Sequence, residues 1–293
     1  MADIKKTLDY ATYGSILEQE DVSKILQDLI LRNNPIRANL PRKPGSGKDE
    51  IVVRRTAEGA ASWVNDTEEI GDTNSTYERK SFEFKTVMTR GKITRKMQAV
   101  GKSLWDLEAA EIEAALEVIK KEEENKLIWG DKTTFPKQFD GLHIQIPSGQ
   151  TVDLSANPLT LSAMDEAIDK CYGNPDMIIC SKRTRKELNA LLQQYQRFND
   201  VVEVKGGFKL QSYNNIPIYW SPEITDTQGA GTESSLYIID SSKVYISELT
   251  PLQMVKLPVS SSQYNQFDIF EDIALVVANE QYCAKIIGIT PPV

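Results

Sequence analysis

From Ser81 onward, apolar side chains at Phe82, Phe84 and Met88 alternate with the charged residues Glu83, Lys85 and Arg90, and this period of two predicts a strand with one dry face. Two short apolar runs, Ile51 to Val53 and Ala60 to Val64, predict further strands nearby. These segments hold too few apolar residues to build a core, and an isolated two-stranded hairpin is only marginally stable in water. We therefore expect residues 50–102 to form an extended β-hairpin that lies on another surface.

Residues 103–129 show a different period, which is typical of a long helix. Ser103 and Asp106 suit a cap at its start, and Gly130 is suited to end it in a left-handed conformation. At ~1.5 Å per residue the helix would be roughly 40 Å long, the width of a small domain. Apolar residues at steps of three and four give it one buried stripe, formed by Trp105, Ala109, Ile112, Leu116 and Ile119.

Helix and strand patterns alternate between residues 150 and 243, which predicts an α+β domain around a small sheet. A helix is expected from Leu161 to Tyr172, and a buried strand from Met177 to Cys180. Ser181 then suits the N-cap of a second helix. Residues 244–293 return to strands.

The first 49 residues have the composition of an arm rather than of a domain. One amphipathic segment runs from about Ile16 to Leu31, and the stretch after it is rich in proline and glycine, which favour a loop or an extended strap. Basic side chains occupy that stretch with no acidic residue among them: Arg32, Arg37, Arg42, Lys43 and Lys48.

Composition excludes several classes of protein. With 40% hydrophobic and 26% charged residues, the chain of 293 residues can bury a core and is not disordered throughout. A net charge of −8 argues against tight binding of nucleic acid over the whole surface. The charged start does not fit a secretory signal, and no run approaches the ~20 apolar residues that cross a bilayer. We expect a soluble protein, made inside the cell, without a membrane partner.

Candidates for catalysis and ligand binding are few. His143 is the single histidine and has apolar neighbours, so a structural role is favoured over a zinc ligand or a catalytic base. The segment Pro44 to Asp49 lacks the first glycine and the final hydroxyl of a phosphate-binding loop. Glu122 to Glu124 point in different directions on a helix and are interpreted as a solvated face rather than a metal site. We expect no catalytic residue, no metal and no cofactor.

Three widely spaced thiols are expected to be buried and reduced: Cys171, Cys180 and Cys283.

The charges of the hairpin are segregated. Its tip carries the acidic residues Asp66, Glu68, Glu69 and Asp72. Its returning strand carries the basic residues Lys85, Arg90, Lys92 and Arg95. Two interpretations explain this pattern equally well. One is ordinary surface charge, and the other is a head-to-tail contact in which the acidic tip of one copy meets a basic surface of the next. The missing core of the hairpin favours assembly. We therefore take these eight residues, with Arg32, Arg37, Arg42 and Lys43 of the arm, as candidates for contacts between subunits.

The order of these parts resembles the major capsid proteins of tailed bacteriophages, which have the HK97-like fold. No single motif is specific, and the order and spacing of several segments carry the resemblance over roughly residues 50–293. The spine helix of that family resembles residues Gly101–Gly130 here, and the turn after it resembles Phe139–Leu142. Parts of the axial domain resemble Asp176–Leu188 and Asn215–Pro222. The closing strands of the peripheral domain resemble Phe270–Ala278 and Ala284–Ile287.

The resemblance implies an α+β HK97-like capsid fold divided into an N-terminal arm (1–49), an extended hairpin or E-loop (50–102), the spine helix with part of the peripheral domain (103–149), an axial domain (150–243) and the returning peripheral strands (244–293). It implies a structural protein, not an enzyme, whose copies form the pentamers and hexamers of an icosahedral shell around a viral double-stranded DNA genome. The DNA would be enclosed without sequence-specific binding. The protein would be found in the virion after assembly in the host cytoplasm.

Two features of the family do not carry over directly. Many members have a scaffolding segment before the arm, for which this chain is too short, so a separate scaffolding protein is expected if one is needed, besides portal and decoration proteins. Some members cross-link neighbours through a lysine and an asparagine. Lys80 or Lys85 with Asn279 are the candidates here, although no motif singles them out and ordinary surface residues are the default.

In the mechanism that follows from this interpretation, the hairpin lies across a neighbouring subunit and the arm straps onto another. The basic stretch of the arm would pair with the acidic spine of that neighbour. One alternative within the same fold is an encapsulin-like compartment that encloses an enzyme. An intracellular α+β enzyme is the remote alternative, and the lack of a catalytic constellation argues against it.

Overall fold

The computed structural model describes residues 34–66, 69, 71–101, 107–194, 201–204, 208–229, 231–257 and 263–291. The helices are α1 (Pro35–Asn39), α2 (Arg95–Gly101), α3 (Leu107–Trp129), α4 (Leu142–Gln145), α5 (Leu161–Asp169) and α6 (Lys182–Gln194). The strands are β1 (Arg42–Pro44), β2 (Asp49–Ala57), β3 (Thr76–Glu83), β4 (Lys85–Thr94), β5 (Thr151–Pro158), β6 (Met177–Cys180), β7 (Val201–Val204), β8 (Phe208–Tyr213), β9 (Ile216–Trp220), β10 (Ser234–Ile239), β11 (Val244–Lys256), β12 (Tyr264–Val277) and β13 (Cys283–Thr290).

The strands within these ranges form three sheets. A four-stranded sheet has the order β1-β11-β12-β4, a seven-stranded sheet has the order β5-β13-β10-β6-β9-β8-β7, and β2 pairs with β3 alone. Strands β11 and β12 are the longest and run antiparallel, with Val244 opposite Val277 at one end. Strands from the last fifth of the chain therefore pair with the early strands β1 and β4 in the four-stranded sheet, and with β5 from the middle of the chain in the seven-stranded sheet.

The seven-stranded sheet is covered on one face by α5 and α6, as the alternating pattern predicts. Ile178 and Cys180 of β6 face these helices, whereas Met177 and Ile179 face the main core. The backbone N–H of Thr184 donates to the Ser181 hydroxyl at 3.1 Å, which confirms the predicted N-cap of α6.

The main core lies where the C-terminal part of α3 meets both large sheets. Leu127 and Ile128 of α3 are fully buried there against Tyr237 of β10 and Ile273 of β12. Earlier in α3, Ile119 packs with Ile93, Phe267 and Ile269 from β4 and β12. The long helix thus joins the two sheets along its length.

The predicted apolar stripe of the long helix is only partly observed. Ile119 is buried, Ile112 and Leu116 are half-buried, and Ala109 is exposed. The stripe position Trp105 and the cap residues Ser103 and Asp106 lie outside the described residues.

The helix ends at a glycine, but for a different reason from the predicted one. Gly130 does not have positive φ. A Cβ at this position would lie 2.3 Å from the carbonyl oxygen of Phe139, because the chain after α3 returns directly against the helix end. The backbone N–H of Gly141 donates to the Gly130 carbonyl at 2.8 Å. The glycine is therefore required by close approach of two backbone segments.

The described part of the arm packs on its own chain. Ile36 and Leu40 belong to the main core, with 0% and 4% of their surfaces exposed. Strand β1 pairs in parallel with β11, with Arg42 opposite Ile246. The expectation that the arm straps onto a neighbour is therefore wrong for residues 34–44, whose apolar side chains are buried within one chain. Residues 1–33, with the predicted amphipathic segment, lie outside the described residues.

The interpretation of Glu122 to Glu124 as a solvated face is also wrong for two of the three residues. Glu123 and Glu124 are fully buried beneath α1 and β1. Glu123 accepts hydrogen bonds from the guanidinium groups of Arg37 and Arg42. Glu124 accepts the backbone N–H groups of Ile36 and Arg37 at 3.1 and 2.9 Å and so caps the start of α1. The basic stretch of the arm pairs with the acidic spine as expected, but within the same chain.

Residues 50–102 divide into two parts. Strands β2 and β3 form an antiparallel hairpin in which Asp49 lies opposite Glu83. The next strand, β4, leaves this hairpin and pairs with β12 in the four-stranded sheet. The run Ala60 to Val64 is not a strand, because no described strand lies alongside it. The hairpin is therefore shorter than the sequence predicts.

Candidate assembly surfaces

The base of the β2–β3 hairpin lies on the four-stranded sheet of its own chain. Phe82 is buried against Tyr245, Ala274 and Val276, with Val52 packed beside them. The spine helix covers the opposite face of this sheet. The apolar cover that the sequence leaves missing is thus supplied within the chain for the inward side of the hairpin base.

A salt-bridge cluster anchors the hairpin on the same side. The Glu280 carboxylate accepts a hydrogen bond from Arg54 at 3.3 Å and pairs with the ammonium group of Lys80. Arg54 also donates to the carbonyl oxygen of Val277 at 3.2 Å. These partners lie at least 200 residues apart along the chain, so no local sequence pattern indicated them.

The outer face of the hairpin, defined by Ile51, Val53, Arg55, Tyr77 and Arg79, points away from the body. Val53 and Tyr77 are 68% and 65% exposed, and Ile51 is 43% exposed. Alternation along a strand places successive side chains on opposite faces, so the buried Phe82 and the exposed Tyr77 belong to different faces of β3. The outer face combines apolar and basic side chains.

The tip of the hairpin, residues 58–75, extends beyond the paired strands. Trp63 is fully exposed, and Val64 is 44% exposed. The hydroxyl of Thr73 donates to the carbonyl oxygen of Ala60 at 2.8 Å, which brings the two ends of the tip together. An exposed tryptophan is a strong sign of an interaction surface, because aromatic anchors dominate binding energy at protein interfaces.

The predicted acidic residues of the tip are exposed where the structure describes them. Asp66, Glu69 and Asp72 are all on the surface, and Glu68 lies outside the described residues. Their placement leaves them accessible to another molecule. The contacts that they would make remain a prediction.

Three of the four predicted basic residues of the returning strand have side-chain partners among the described residues. Arg90 pairs with Asp268, Lys85 pairs with Glu83, and the Lys92 ammonium lies 3.6 Å from the centre of the Tyr264 ring. Arg95 is exposed at the start of α2. Among the described residues, the acidic groups of the tip and the basic groups of the returning strand are therefore not brought together within one chain, and most of the basic groups already have partners.

The basic candidates of the arm also contact their own chain. Arg37 and Arg42 bind Glu123, and Arg42 additionally pairs with Glu248. The Lys43 ammonium lies 3.7 Å from the centre of the Tyr245 ring. Arg32 lies outside the described residues.

The two lysines and the asparagine considered for cross-linking are near the hairpin base. Lys80 pairs with Glu280, and Lys85 donates to Glu83 and to the carbonyl oxygen of Pro136, both at 2.9 Å. The Asn279 side chain accepts the backbone N–H of Gln281 at 3.0 Å. These contacts are those of ordinary structural residues and do not single out a pair.

His143 has a structural setting. Its Nδ1 lies 3.0 Å from the Tyr237 hydroxyl, and its ring packs 4.8 Å from the Trp129 ring. Burial, and then the nearby positive charge of Lys285, lower the pKa of His143 to about 4, so the ring is neutral at pH 7. The expected structural role of this histidine is confirmed by these contacts.

The three cysteines are free and buried. Burial raises the pKa of Cys171 and of Cys180 to about 12, which keeps both as thiols at neutral pH. Within the described ranges, no group of His, Cys, Asp and Glu side chains is arranged to hold a metal ion. A search of the same residues for a helix with the length and apolar character of a membrane span found none.

The sequence profile of the SU10 major capsid protein family matches residues 11–290. The chain belongs to this family. This capsid protein is a structural protein of the virion, and its copies associate into a shell. No curated protein matches the chain.

Solved structures resemble this capsid protein over nearly its whole length. The SrpI encapsulin of Synechococcus elongatus PCC 7942, in its holo complex, has a TM-score of 0.74 and 13% identity and covers 96% of this chain and 95% of its own. The capsid of Cyanophage A-1(L) has a TM-score of 0.73 and 12% identity, with 96% and 99% covered. Mycobacterium phage Bobi has a TM-score of 0.67 and 15% identity, with 95% and 98% covered. These likenesses confirm the α+β HK97-like capsid fold.

Proposed function

We propose that this capsid protein forms the pentamers and hexamers of an icosahedral shell around a double-stranded DNA genome, and that the outer face and tip of the hairpin hold neighbouring subunits together. The observation that carries the proposal is that one hairpin exposes several large apolar side chains, Trp63 in its tip and Val53 and Tyr77 on its outer face. Large exposed apolar surface on a folded subunit marks an interaction surface.

The construction of the hairpin supports this role. Its inward side is fixed to the chain by Phe82 and by the Glu280 cluster, so its outer side is held in a defined orientation. A second copy of this chain would cover Trp63, Val53 and Tyr77 and would gain their burial as binding free energy. Small contacts of this kind, repeated around a closed shell, add up to a stable particle.

The division into domains is part of the proposal. Residues 150–243 would form the axial domain and crowd the local five-fold and six-fold axes, and residues 103–149 with 244–293 would form the peripheral domain. Residues 1–49 would be the arm and residues 50–102 the E-loop, although β4 belongs by its pairing to the four-stranded sheet. We further propose that assembly takes place in the host cytoplasm, that any scaffolding, portal and decoration proteins are separate chains not required for the shell itself to close, and that the protein has no enzymatic activity.

The test compares the wild-type chain with a variant that lacks most of the tip. Residues 61–72 are replaced by Asn-Gly, because Ala60 and Thr73 are already joined by a hydrogen bond of 2.8 Å. A milder variant is Trp63→Ser, and its matched control is Thr73→Ser in the same loop. Negative-stain microscopy of the overexpressed wild type and control is expected to show closed particles, whereas the tip variants give folded subunits or capsomers only. Closed particles of normal size from the shortened variant would contradict the proposal.

A measurement of the contents separates a viral shell from a compartment for an enzyme. The encapsulin likeness shows the fold and says nothing of cargo in this protein. Particles purified from infected cells are expected to contain DNA that nuclease does not degrade. Particles from such cells that hold a protein cargo and no DNA would favour the encapsulin-like alternative.

A further inference from the structure

Glu271 of β12 is a buried carboxyl group that the assembly function leaves without a role. Its side chain is fully buried, and neither of its oxygens has a hydrogen-bond partner among the described residues. The Nη2 atom of Arg37 lies 3.8 Å from a Glu271 oxygen, which is beyond hydrogen-bond distance. Arg37 is occupied instead by Glu123, the buried carboxylate that faces Glu271.

The charges around Glu271 come from each element that packs on it. The spine contributes Glu123, and the arm contributes Arg37 and Arg42. On the same face of the sheet, β11 contributes Glu248, which pairs with Arg42, and β4 contributes Lys85, which is occupied by Glu83 and by a backbone carbonyl. If Glu271 were ionised, three carboxylates would face two guanidinium groups. If Glu271 is protonated, two carboxylates face two guanidinium groups, and a buried uncompensated charge is avoided.

We infer that Glu271 is a protonated acid at neutral pH that donates its hydrogen to the Glu123 carboxylate, and that loss of this proton loosens the attachment of residues 36–44 to the spine helix. The proton supplies the donor that two facing carboxylates lack. When it leaves for the solvent, Glu271 and Glu123 become two like charges in a buried site. Detachment of α1 and β1 relieves this repulsion by admitting water to both carboxylates.

The direction of the pH effect follows from the change in protonation. Burial, and then repulsion from Glu123, raise the pKa of Glu271 to about 8 in the closed arrangement. After detachment the pKa would return toward the usual ~4.3 of a glutamate, so opening releases a proton. The attachment of residues 36–44 to the spine helix is therefore strongest in mild acid and weakens as the pH rises from about 5 to about 8. For Glu271 alone, the equilibrium constant for detachment increases by up to about tenfold per pH unit. Burial also raises the pKa of Glu124 to about 7, which acts in the same direction.

Hydrogen exchange of the full-length chain tests the inference without any substitution. Mass spectrometry measures peptides that cover residues 36–45, and peptides from β12 serve as the internal control. After correction for the pH dependence of chemical exchange, Glu271 alone is expected to lower the protection of residues 36–45 by up to tenfold per pH unit between about pH 5 and 8, and Glu124 steepens this fall below about pH 7. Protection of β12 is expected to stay constant. A flat profile for residues 36–45 would overturn the inference.

Two single variants identify the proton. Glu271→Gln is neutral at every pH, and its amide can donate to Glu123, so the protection of residues 36–45 is expected to fall between pH 6 and pH 9 by a much smaller factor than in the wild type. The matched control is Glu117→Gln, which removes a carboxylate of the spine helix that pairs with Lys120 and does not belong to the charges counted around Glu271. That control is expected to retain the wild-type slope. The double variant Glu124→Gln with Glu271→Gln is expected to remove the remaining slope. The inference fails if Glu271→Gln keeps the wild-type slope or detaches the segment at every pH, and the wild-type profile alone decides if this variant does not fold.

Discussion

Arg90 and Asp268 are joined across β4 and β12 by two hydrogen bonds, of 2.6 Å from Nε and 2.7 Å from Nη2. The two residues lie opposite each other in the antiparallel ladder. A bidentate pair of this kind fixes the geometry of both side chains. It also holds β4, which continues from the hairpin, in register with the central strand of the four-stranded sheet.

This pair predicts a specific dependence of stability on pH. The hydrogen bonds from Arg90 lower the pKa of Asp268, so the pair stabilises the folded chain above the ordinary pKa of an aspartate and loses that contribution as the pH falls below about 4. Arg90→Gln is therefore expected to be slightly less stable than the wild type at pH 6. The difference should shrink toward pH 2.5. Urea unfolding of the unassembled chain at both values measures it, and an equal difference at both would exclude the pair as the cause.

The packing of the arm gives a second prediction. Ile36 is fully buried in the core of its own chain, so Ile36→Ala is expected to lower the free energy of unfolding of the unassembled subunit by about 2–5 kcal/mol. Ile51→Ala, at a residue that is 43% exposed, is the control and is expected to have little effect on the subunit. Chemical unfolding of unassembled chains measures both. If Ile36→Ala left the subunit unchanged and impaired only particles, the segment would act as a strap between subunits.

Local patterns predicted those elements whose causes are local. The buried strand Met177–Cys180 and the cap at Ser181 depend on neighbouring residues, and both were predictable. The partners of Arg90, Arg42 and Glu123 were not, because each pair joins residues that are far apart in sequence. From the sequence alone, the acidic run at Glu122 to Glu124 therefore has the pattern of a solvated face, because the arm that covers two of its residues is far away along the chain.

The same reason explains which part of the proposed interaction surface could be predicted from the sequence. Segregated charge indicated an exposed hairpin, and the described acidic residues of its tip, Asp66, Glu69 and Asp72, are on the surface. The hairpin has two faces, and only the one that does not contact the four-stranded sheet stays free. Phe82 and Val52 decide which face makes that contact, because they pack against the sheet. The apolar run Ala60 to Val64 predicts a strand that includes Trp63, whereas this tryptophan lies in an exposed loop, where a large aromatic side chain is itself a signal of an interaction surface.

The junction after the spine helix gives a third prediction. Gly130→Ala would place a Cβ 2.3 Å from the Phe139 carbonyl oxygen and 2.6 Å from that of Lys126, and neither backbone atom can rotate away. We expect the free energy of unfolding to fall by about 1–3 kcal/mol. Gly149→Ala is the control, because nothing lies within 4 Å of a Cβ there. Thermal unfolding compares the two, and equal melting temperatures would mean that the junction adjusts without strain.

The exposed acidic tip gives the last prediction. Neutralising it with Asp66→Asn, Glu69→Gln and Asp72→Asn is expected to leave the stability of the unassembled subunit unchanged, because all three residues are on the surface. Early assembly should slow, since the opposite charge on a neighbour would no longer attract the tip. In the wild type, added salt should slow assembly in the same way, because exposed charges are screened over about 8 Å at 0.15 M ionic strength. Light scattering at several salt concentrations measures both effects, with Asn74→Ala as a control in the same loop that changes no charge. If the neutralised variant showed the same salt dependence as the wild type, the attraction between subunits would have to arise from charges elsewhere.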